Sequence, residues 1–294
     1  MKYLPFPIKM RLYFSRYDLT MKELNRPDMK GFERKYLKLK GEKGAFFDFA
    51  GAKLPDVTRN KRLYSELCGV FFDTFFVPCL FDDNYDKSVV DSAAKYSREG
   101  PYGYTDGSFS VIVEKDDIVI DAGAWIGDFS AYAVSKGAVV YAFEPGGETF
   151  AELQKTSVLN GGKIIAVNKG LGDGDHDLPL YDSMLGSIGF TVMNISAKKQ
   201  KVIETIKLTS IDKFVKDNNI PRIDFIKADI EGAERDMLRG AVDTLKRFAP
   251  KLAICTYHLP DDPEVLERIV LEANPQYKII HGPAKMYACV VDHR

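Results

Sequence analysis

Ile118-Val119-Ile120-Asp121-Ala122-Gly123-Ala124-Trp125-Ile126-Gly127 is the stretch that decides the fold of this 294-residue chain. A β-branched run closes on an acid and enters a turn with two glycines, and an amphipathic stretch from Gly127 to Gly137 follows. Strand, glycine turn and helix in that order open a parallel sheet covered by helices. The rhythm repeats, predicting strands at Val139–Glu144, Ile164–Asn168, Phe225–Asp229 and Leu252–Tyr257. Helices are predicted from Glu148 to Asn160, with Gly161 as a C-terminal cap, and over Pro263–Ala273, with Pro in the first turn. Another follows Glu231, carrying Met237, Leu238, Ala241 and Leu245 on one face. Tyr277–His281 and Met286–Asp292, parted by Gly282-Pro283, read as a closing antiparallel hairpin. The expected fold is therefore α/β, a mostly parallel, Rossmann-like sheet of seven strands with helices on both faces.

A turn of this kind leaves a nucleotide-sized crevice at the carboxyl end of its strand. The dinucleotide fingerprint GxGxxG is absent, because no third glycine joins Gly123 and Gly127. Asp121 would repel a pyrophosphate but suit a ligand carrying an ammonium and a sulfonium. S-adenosylmethionine carries both and has no phosphate, so Gly123, Ala124, Trp125 and Gly127 are expected to line its site. Trp125 either shields the cofactor or packs beneath it. Glu144, 23 residues beyond Asp121, ends the next strand, where a carboxylate can accept hydrogen bonds from both ribose hydroxyls. Taken alone it reads equally as an acid at a helix start.

With these residues in place the sequence resembles the FkbM-type methyltransferases over about residues 110–260. The likeness rests on Asp121-Ala122-Gly123-Ala124 and Phe143-Glu144-Pro145, then on Ile206-Lys207-Leu208-Thr209-Ser210-Ile211-Asp212. It continues through Asp224-Phe225-Ile226-Lys227-Ala228-Asp229-Ile230-Glu231-Gly232-Ala233-Glu234 and Leu238-Arg239-Gly240. The chain departs from the family's pattern at Ser210 and Ala228, where larger apolar residues are usual, and at Tyr257, where Glu often precedes the histidine. The resemblance implies a class I methyltransferase fold and methyl transfer from S-adenosylmethionine, usually onto a hydroxyl oxygen of a sugar or natural product. It also implies that Asp173, in Gly172-Asp173-Gly174, sets a polar group against the adenine amine; an ordinary Asp-Gly turn explains the same residues.

Methyl transfer is an in-line displacement, so an enzyme chiefly aligns oxygen, carbon and sulfur and takes up the hydroxyl proton. Asp229, at a strand end beside the expected methyl position, is placed to orient that hydroxyl or accept its proton. Glu231 follows at the start of a helix, where the helix dipole also favours an acid, and Glu234 reads as a capping residue. His258 follows the next strand and has the intrinsic pKa of a base near neutrality; before Pro260 it also reads as a solvated loop histidine. Asp229, Glu231 and His258 together are compatible with a divalent cation without requiring one. Tyr102 and Tyr104, just upstream of the sheet, are in position to close over an acceptor or to pack. His281 reads as packing.

The 41 Lys and Arg against 42 Asp and Glu conceal an asymmetry. Residues 1–62 hold 16 basic and 7 acidic side chains, a net of +9, and the other 232 residues carry −10. Residues 1–108 fall outside the sheet rhythm and read as an accessory region before a methyltransferase domain over 109–294. In it Tyr36–Lys40 and Ala45–Phe49 flank Gly41-Glu42-Lys43-Gly44 as a possible hairpin, and 61–98 look helical with a break at Pro78. Basic and aromatic residues interleave here, which suits a phosphorylated glycan, a single-stranded nucleic acid or the acidic body of a second copy; it suits a solvated hairpin too. The preferred acceptor is a small molecule or glycan. Methylation of RNA or protein is the alternative, although Asp229-Ile230-Glu231-Gly232 stands where amino-directed nucleic-acid enzymes place Asn-Pro-Pro-Tyr. A cofactor-binding module without turnover is the third reading. Four scattered cysteines, Cys68, Cys79, Cys255 and Cys289, argue against a zinc site or disulfide framework. No apolar run is long enough for a span or signal peptide. The expected setting is cytoplasmic.

Overall fold

A computed structural model describes residues 40–41, 45–49, 51–71, 102–106, 108–182, 190–191, 202–282 and 284–291. They fall in two units, Met1–Pro101 and Tyr102–Arg294. In the first, β1 (Phe46–Phe49) pairs antiparallel with β2 (Ala52–Pro55), and α1 (Lys61–Phe71) follows. The strand predicted at Ala45–Phe49 is thus present, but its partner is Ala52–Pro55. Among the described residues, an antiparallel bridge from Lys40 to Phe46 also links it to the preceding segment. The remainder of Tyr36–Lys40, the helical reading beyond residue 71 and most of the basic front lie outside the described residues.

The second unit opens with a hairpin, β3 (Tyr104–Asp106) and β4 (Phe109–Val111). The strand–helix rhythm then appears as read: β5 (Ile118–Ala122), α2 (Asp128–Ser135), β6 (Val139–Phe143), α3 (Gly147–Leu159) and β7 (Ile164–Val167). Next come β8 (Gly170–Leu171), β9 (Asp177–Asp182), β10 (Phe190–Thr191) and β11 (Val202–Thr209), which make a second sheet in the order β10-β9-β11-β8. The chain continues through α4 (Ile211–Asp217), β12 (Phe225–Ala228), α5 (Glu234–Arg239), α6 (Val242–Phe248), β13 (Lys251–Cys255) and α7 (Asp262–Ala273). It closes with β14 (Tyr277–His281) and β15 (Lys285–Val290).

The main sheet runs β14-β15-β13-β12-β5-β6-β7. It is parallel except at β15, which pairs antiparallel with both β13 and β14. Alternation along each strand builds a core on each face. Ile120, Ala122, Ile226 and Ile254 pack with Ile211, Met237, Leu245 and Leu266 of the helices on one side. Val119, Val140, Ala142 and Phe225 pack with Phe129 of α2, Leu153 of α3 and Val111 of β4 on the other. These are near-continuous apolar strands, as a sheet covered on both faces demands.

Local capping explains much of the Ser210–Asp212 signature. The Ser210 side chain accepts from the Lys213 N–H and caps α4. The Asp212 carboxylate accepts from the Asp243 and Thr244 N–H groups, at 2.9 and 2.8 Å, and caps α6. The single helix predicted after Glu231 is split into α5 and α6 at Gly240, where a side chain would come within 2.2 Å of the Gly172 carbonyl. Among the described residues no helix is long and apolar enough to cross a membrane, and Cys255 and Cys289 are buried and form no disulfide.

Candidate active site

Parallel pairing brings the carboxyl ends of β5, β6, β12 and β13 to one edge of the sheet. The turn after β5 is held there by positive φ at Gly123 (+74°), Trp125 (+49°) and Gly127 (+88°). Gly123 is obligatory for a second reason, because a Cβ there would sit 2.0 Å from the Asp229 carbonyl oxygen. The turn therefore lies directly against the end of β12. Four of its five backbone donors are engaged within the protein. Gly123 and Ala124 N–H donate to the Phe143 carbonyl at 3.1 and 2.9 Å, and Gly127 N–H donates to Ala124 at 2.7 Å. Trp125 N–H donates to Glu144 Oε2 at 2.9 Å. A phosphate-cradling loop keeps such donors open for its ligand; this one does not.

Asp121 lies near the end of β5, before the turn, with its side chain buried. It is in register with Lys227 on the neighbouring strand, its carboxylate has no exposed surface, and Lys227 Nζ lies 3.0 Å from its Oδ1. Ser130 donates to its other oxygen at 2.6 Å. The physical reason is register: two side chains of adjacent parallel strands share one face and neutralise each other in the core. Lys227 also donates to the Gly123 carbonyl at 2.6 Å and so ties β12 to the glycine turn. Burial opposes its charge, yet Asp121, Asp229 and Asp128 outweigh that and hold its pKa above the usual lysine range.

Glu144 joins the turn to the start of α3. Besides Trp125, it accepts from Gly146 N–H at 2.9 Å and Thr149 Oγ1 at 2.7 Å. Burial pushes its carboxyl up to about 7 against the pull of these bonds. Its Oε2 takes one donor where a carboxylate oxygen can take two. Asp173 follows β8 with a side chain 58% exposed, and its backbone packs on Gly240.

Asp229 directly follows the end of β12. Tyr102 donates to its Oδ2 at 2.6 Å, and Tyr257 donates to its Oδ1 at 3.1 Å. The Tyr102 ring is itself held by Lys285 and Lys227, whose ammonium groups lie 4.2 and 5.1 Å from its centroid. Burial would raise the Asp229 carboxyl, but Lys227, His258, Lys285 and the Tyr102 hydroxyl keep it below the usual carboxylate range. His258 Nε2 lies 3.6 Å from Asp229 Oδ1 and 3.7 Å from Glu231 Oε2, and Nδ1 lies 3.1 Å from Glu234 Oε1. Glu234 is fixed in turn by the Ile230 and Gly232 N–H groups.

Burial would favour neutral His258, but Glu234, Asp229 and Glu231 together lift its pKa to about 9. The ring is therefore protonated at neutral pH in this cluster, unlike the free neutral base its intrinsic pKa suggests.

Asp229, Glu231 and His258 are thus brought together, with Tyr102 beside them. Tyr104 makes its ring contacts with Tyr287 and Phe109 instead. His281 lies 2.6 Å from Glu267 through Nε2. Sequence reasoning passed over Lys227, Lys285 and Tyr257. The signal for Lys227 was a lone charge in the otherwise apolar Phe225-Ile226-Lys227-Ala228.

The family model for the methyltransferase FkbM domain matches residues 121–278. Hexuronic acid methyltransferase AglP of Haloferax volcanii is 29% identical over 160 residues, covering 54% of this chain and 64% of that protein. Methyltransferase 1 of Beauveria bassiana is 29% identical over 148 residues, covering 44% of this chain and 59% of its own. These matches span less than two thirds of either relative. The crystal structure of methyltransferase FkbM from Methylobacillus flagellatus aligns with a TM-score of 0.50 at 23% identity, covering 76% of this chain and 60% of that one, and shares the fold.

Proposed function

Since the chain belongs to the FkbM-domain methyltransferases, we propose that it methylates a hydroxyl oxygen of a carbohydrate or similar hydroxylated small molecule, using S-adenosylmethionine. The observation that carries this is the glycine turn, whose Gly123, Ala124, Trp125 and Gly127 N–H groups are all engaged internally. Such a turn suits a nucleoside cofactor without phosphates. The 29% identity to a hexuronic acid methyltransferase supports the acceptor class.

In this reading Glu144 holds a ribose hydroxyl through the remaining capacity of Oε2, the 123–127 turn and Trp125 contact the nucleoside, and Asp173 lies towards the base. When bound, S-adenosylmethionine supplies a methyl carbon made electrophilic by its sulfonium. The chain's own part is placement. Asp229, ionised and pinned by Tyr102 and Tyr257, offers a carboxylate oxygen to the acceptor hydroxyl, orienting it and receiving its proton. His258 and Glu231 set the charge around that oxygen. The basic segment over residues 1–62 is our proposed contact for an acidic acceptor or for a second copy of the chain.

The test is transfer of labelled methyl from S-adenosylmethionine to a panel of uronic acids and neutral sugars. Wild-type protein should label at least one of them, while Asp229→Asn should bind cofactor normally and transfer slowly. Equal turnover in that variant would place the chemistry elsewhere.

A further inference from the structure

Resting on the reading of Glu144 as a ribose contact, we propose that Glu204, on β11 of the second sheet, is a positioning residue for the cofactor. It holds the first turn of α3 and, through that turn, the Glu144 carboxylate. The first N–H groups of a helix have no partner within it, and the residue that precedes α3 is Gly146, which has no side chain to cap them. Two carboxylates from outside the helix take that place. Glu144 Oε1 accepts from Gly146 N–H, and Glu204 Oε1 accepts from Gly147 N–H, each at 2.9 Å. The same Glu144 oxygen takes the Thr149 hydroxyl at 2.7 Å. Whatever fixes the first turn of α3 therefore fixes the pose of Glu144, and with it the oxygen left for the ribose.

The strand β11 is built to reach that point. Residues two apart on a strand share a face, which sets Glu204 with Ile206 and Leu208, both buried. That face lies against the chain beside Glu144. A Cβ at Gly170 would come within 2.5 Å of Leu208 Cδ2, 3.6 Å of Ile206 Cδ1 and 3.8 Å of Pro145 Cβ. Apolar packing thus seats the strand, and Glu204, next along the same face, meets Gly147. The register of β11 against β9 slips just before it, with Val202 opposite Tyr181 and Glu204 opposite Leu180. Ile203 is the extra residue of a bulge, a device that re-aims side chains and gathers beside active sites. From the β7 side, Asn168 Nδ2 donates to the Glu144 and Pro145 carbonyls, each at 3.0 Å. Residues 144–147 are held between these two tethers.

A structural cap and a positioning contact differ in what they change. A cap alone stabilises the fold equally with and without ligand. Glu204 acts on binding, because an untethered 144–147 segment must be ordered anew when the ribose arrives, and preorganisation removes that cost. Its side chain is half-buried, outside the apolar core, so its variants leave the packing of the sheet intact.

Wild-type, Glu204→Ala and Glu204→Gln proteins are titrated calorimetrically with S-adenosylmethionine at pH 8. Glu204→Ala should bind about fivefold more weakly, still at one site per chain, the scale of a lost helix cap. Glu204→Gln, whose amide oxygen can accept from Gly147, should stay within about twofold of wild type. Equal affinity in wild type and Glu204→Ala overturns the proposal and leaves the cofactor reading standing. So does a reduced number of sites at unchanged affinity, the result of a merely structural role, or a Glu204→Gln protein as weak as Glu204→Ala. Wild-type protein that binds no S-adenosylmethionine overturns the cofactor reading and the proposal together.

Discussion

Lys227 and Asp121 face each other across two parallel strands, with Nζ 3.0 Å from Oδ1 and side-chain exposures of 4% and 0%. The pair lies under the glycine turn, and the same ammonium donates to the Gly123 carbonyl at 2.6 Å. A charge that one might assign to ligand binding is therefore part of the scaffold that sets the turn's position.

Removing one partner should expose that dependence. Lys227→Met leaves Asp121 buried and unpaired, which costs about 3–5 kcal/mol. Urea denaturation should show this loss, and the double variant Lys227→Met, Asp121→Leu should regain a large part of it. A single variant as stable as wild type would mean that the pair is not coupled in the folded protein.

Gly123 and Gly161 share nearly the same backbone, at φ +74° and +72°, but differ in surroundings. A Cβ at Gly161 meets nothing within 4 Å, while one at Gly123 meets the Asp229 carbonyl at 2.0 Å. Gly161→Ala should therefore cost only the left-handed backbone, roughly 1–2 kcal/mol. Gly123→Ala should melt at a clearly lower temperature and lose cofactor affinity as well, because either the turn or Asp229 must move. Equal melting temperatures for the two variants would contradict the close approach.

Glu144 ties binding to pH. Its folded pKa, raised to about 7 by burial, means that the neutral carboxyl is favoured in the cofactor-free protein. Its contribution to stability is thus full below the ordinary glutamate value and is lost as pH rises through about 7. Ribose hydroxyls donate best to the ionised form, so cofactor affinity should change in the opposite sense. It should rise about tenfold between pH 6 and 8, as the ionised fraction grows. Calorimetry across that range should find the rise in wild type and its absence in Glu144→Gln.

Tyr102→Phe removes the 2.6 Å hydrogen bond to Asp229 Oδ2 and keeps the ring between Lys285 and Lys227. A hydrogen bond to a charged group is worth about 1.5–3 kcal/mol. Steady-state kinetics should show kcat falling about tenfold or more with the cofactor KM unchanged. A change confined to KM would make Tyr102 a binding residue instead.

The strands and helices of the second unit were legible because each carries a period of its own. Ile118–Ala122 and Phe225–Ala228 are apolar runs broken by one charge each, and Asp262–Ala273 keeps a helical stripe. The second sheet was not legible, since Asp177–Asp182 contains Pro179 and β11 alternates only at its end. The split at Gly240 depends on the Gly172 carbonyl, 68 residues away in sequence. The same holds at the site. Glu144, Asp229 and His258 follow from their places at strand ends, whereas the Asp121–Lys227 pairing and the Glu234–His258 contact need the register and the turn geometry. A lone lysine in an apolar strand announces a partner without saying which one.

The central claim is that the 123–127 turn and Glu144 hold S-adenosylmethionine. Isothermal titration of wild-type and Glu144→Ala protein with that cofactor at pH 8 tests it most directly. Wild type should show one site per chain and the variant a loss of affinity of about tenfold or more, the scale expected when a hydrogen bond to a buried carboxylate is removed. Equal binding by both proteins, or none by the wild type, would contradict it.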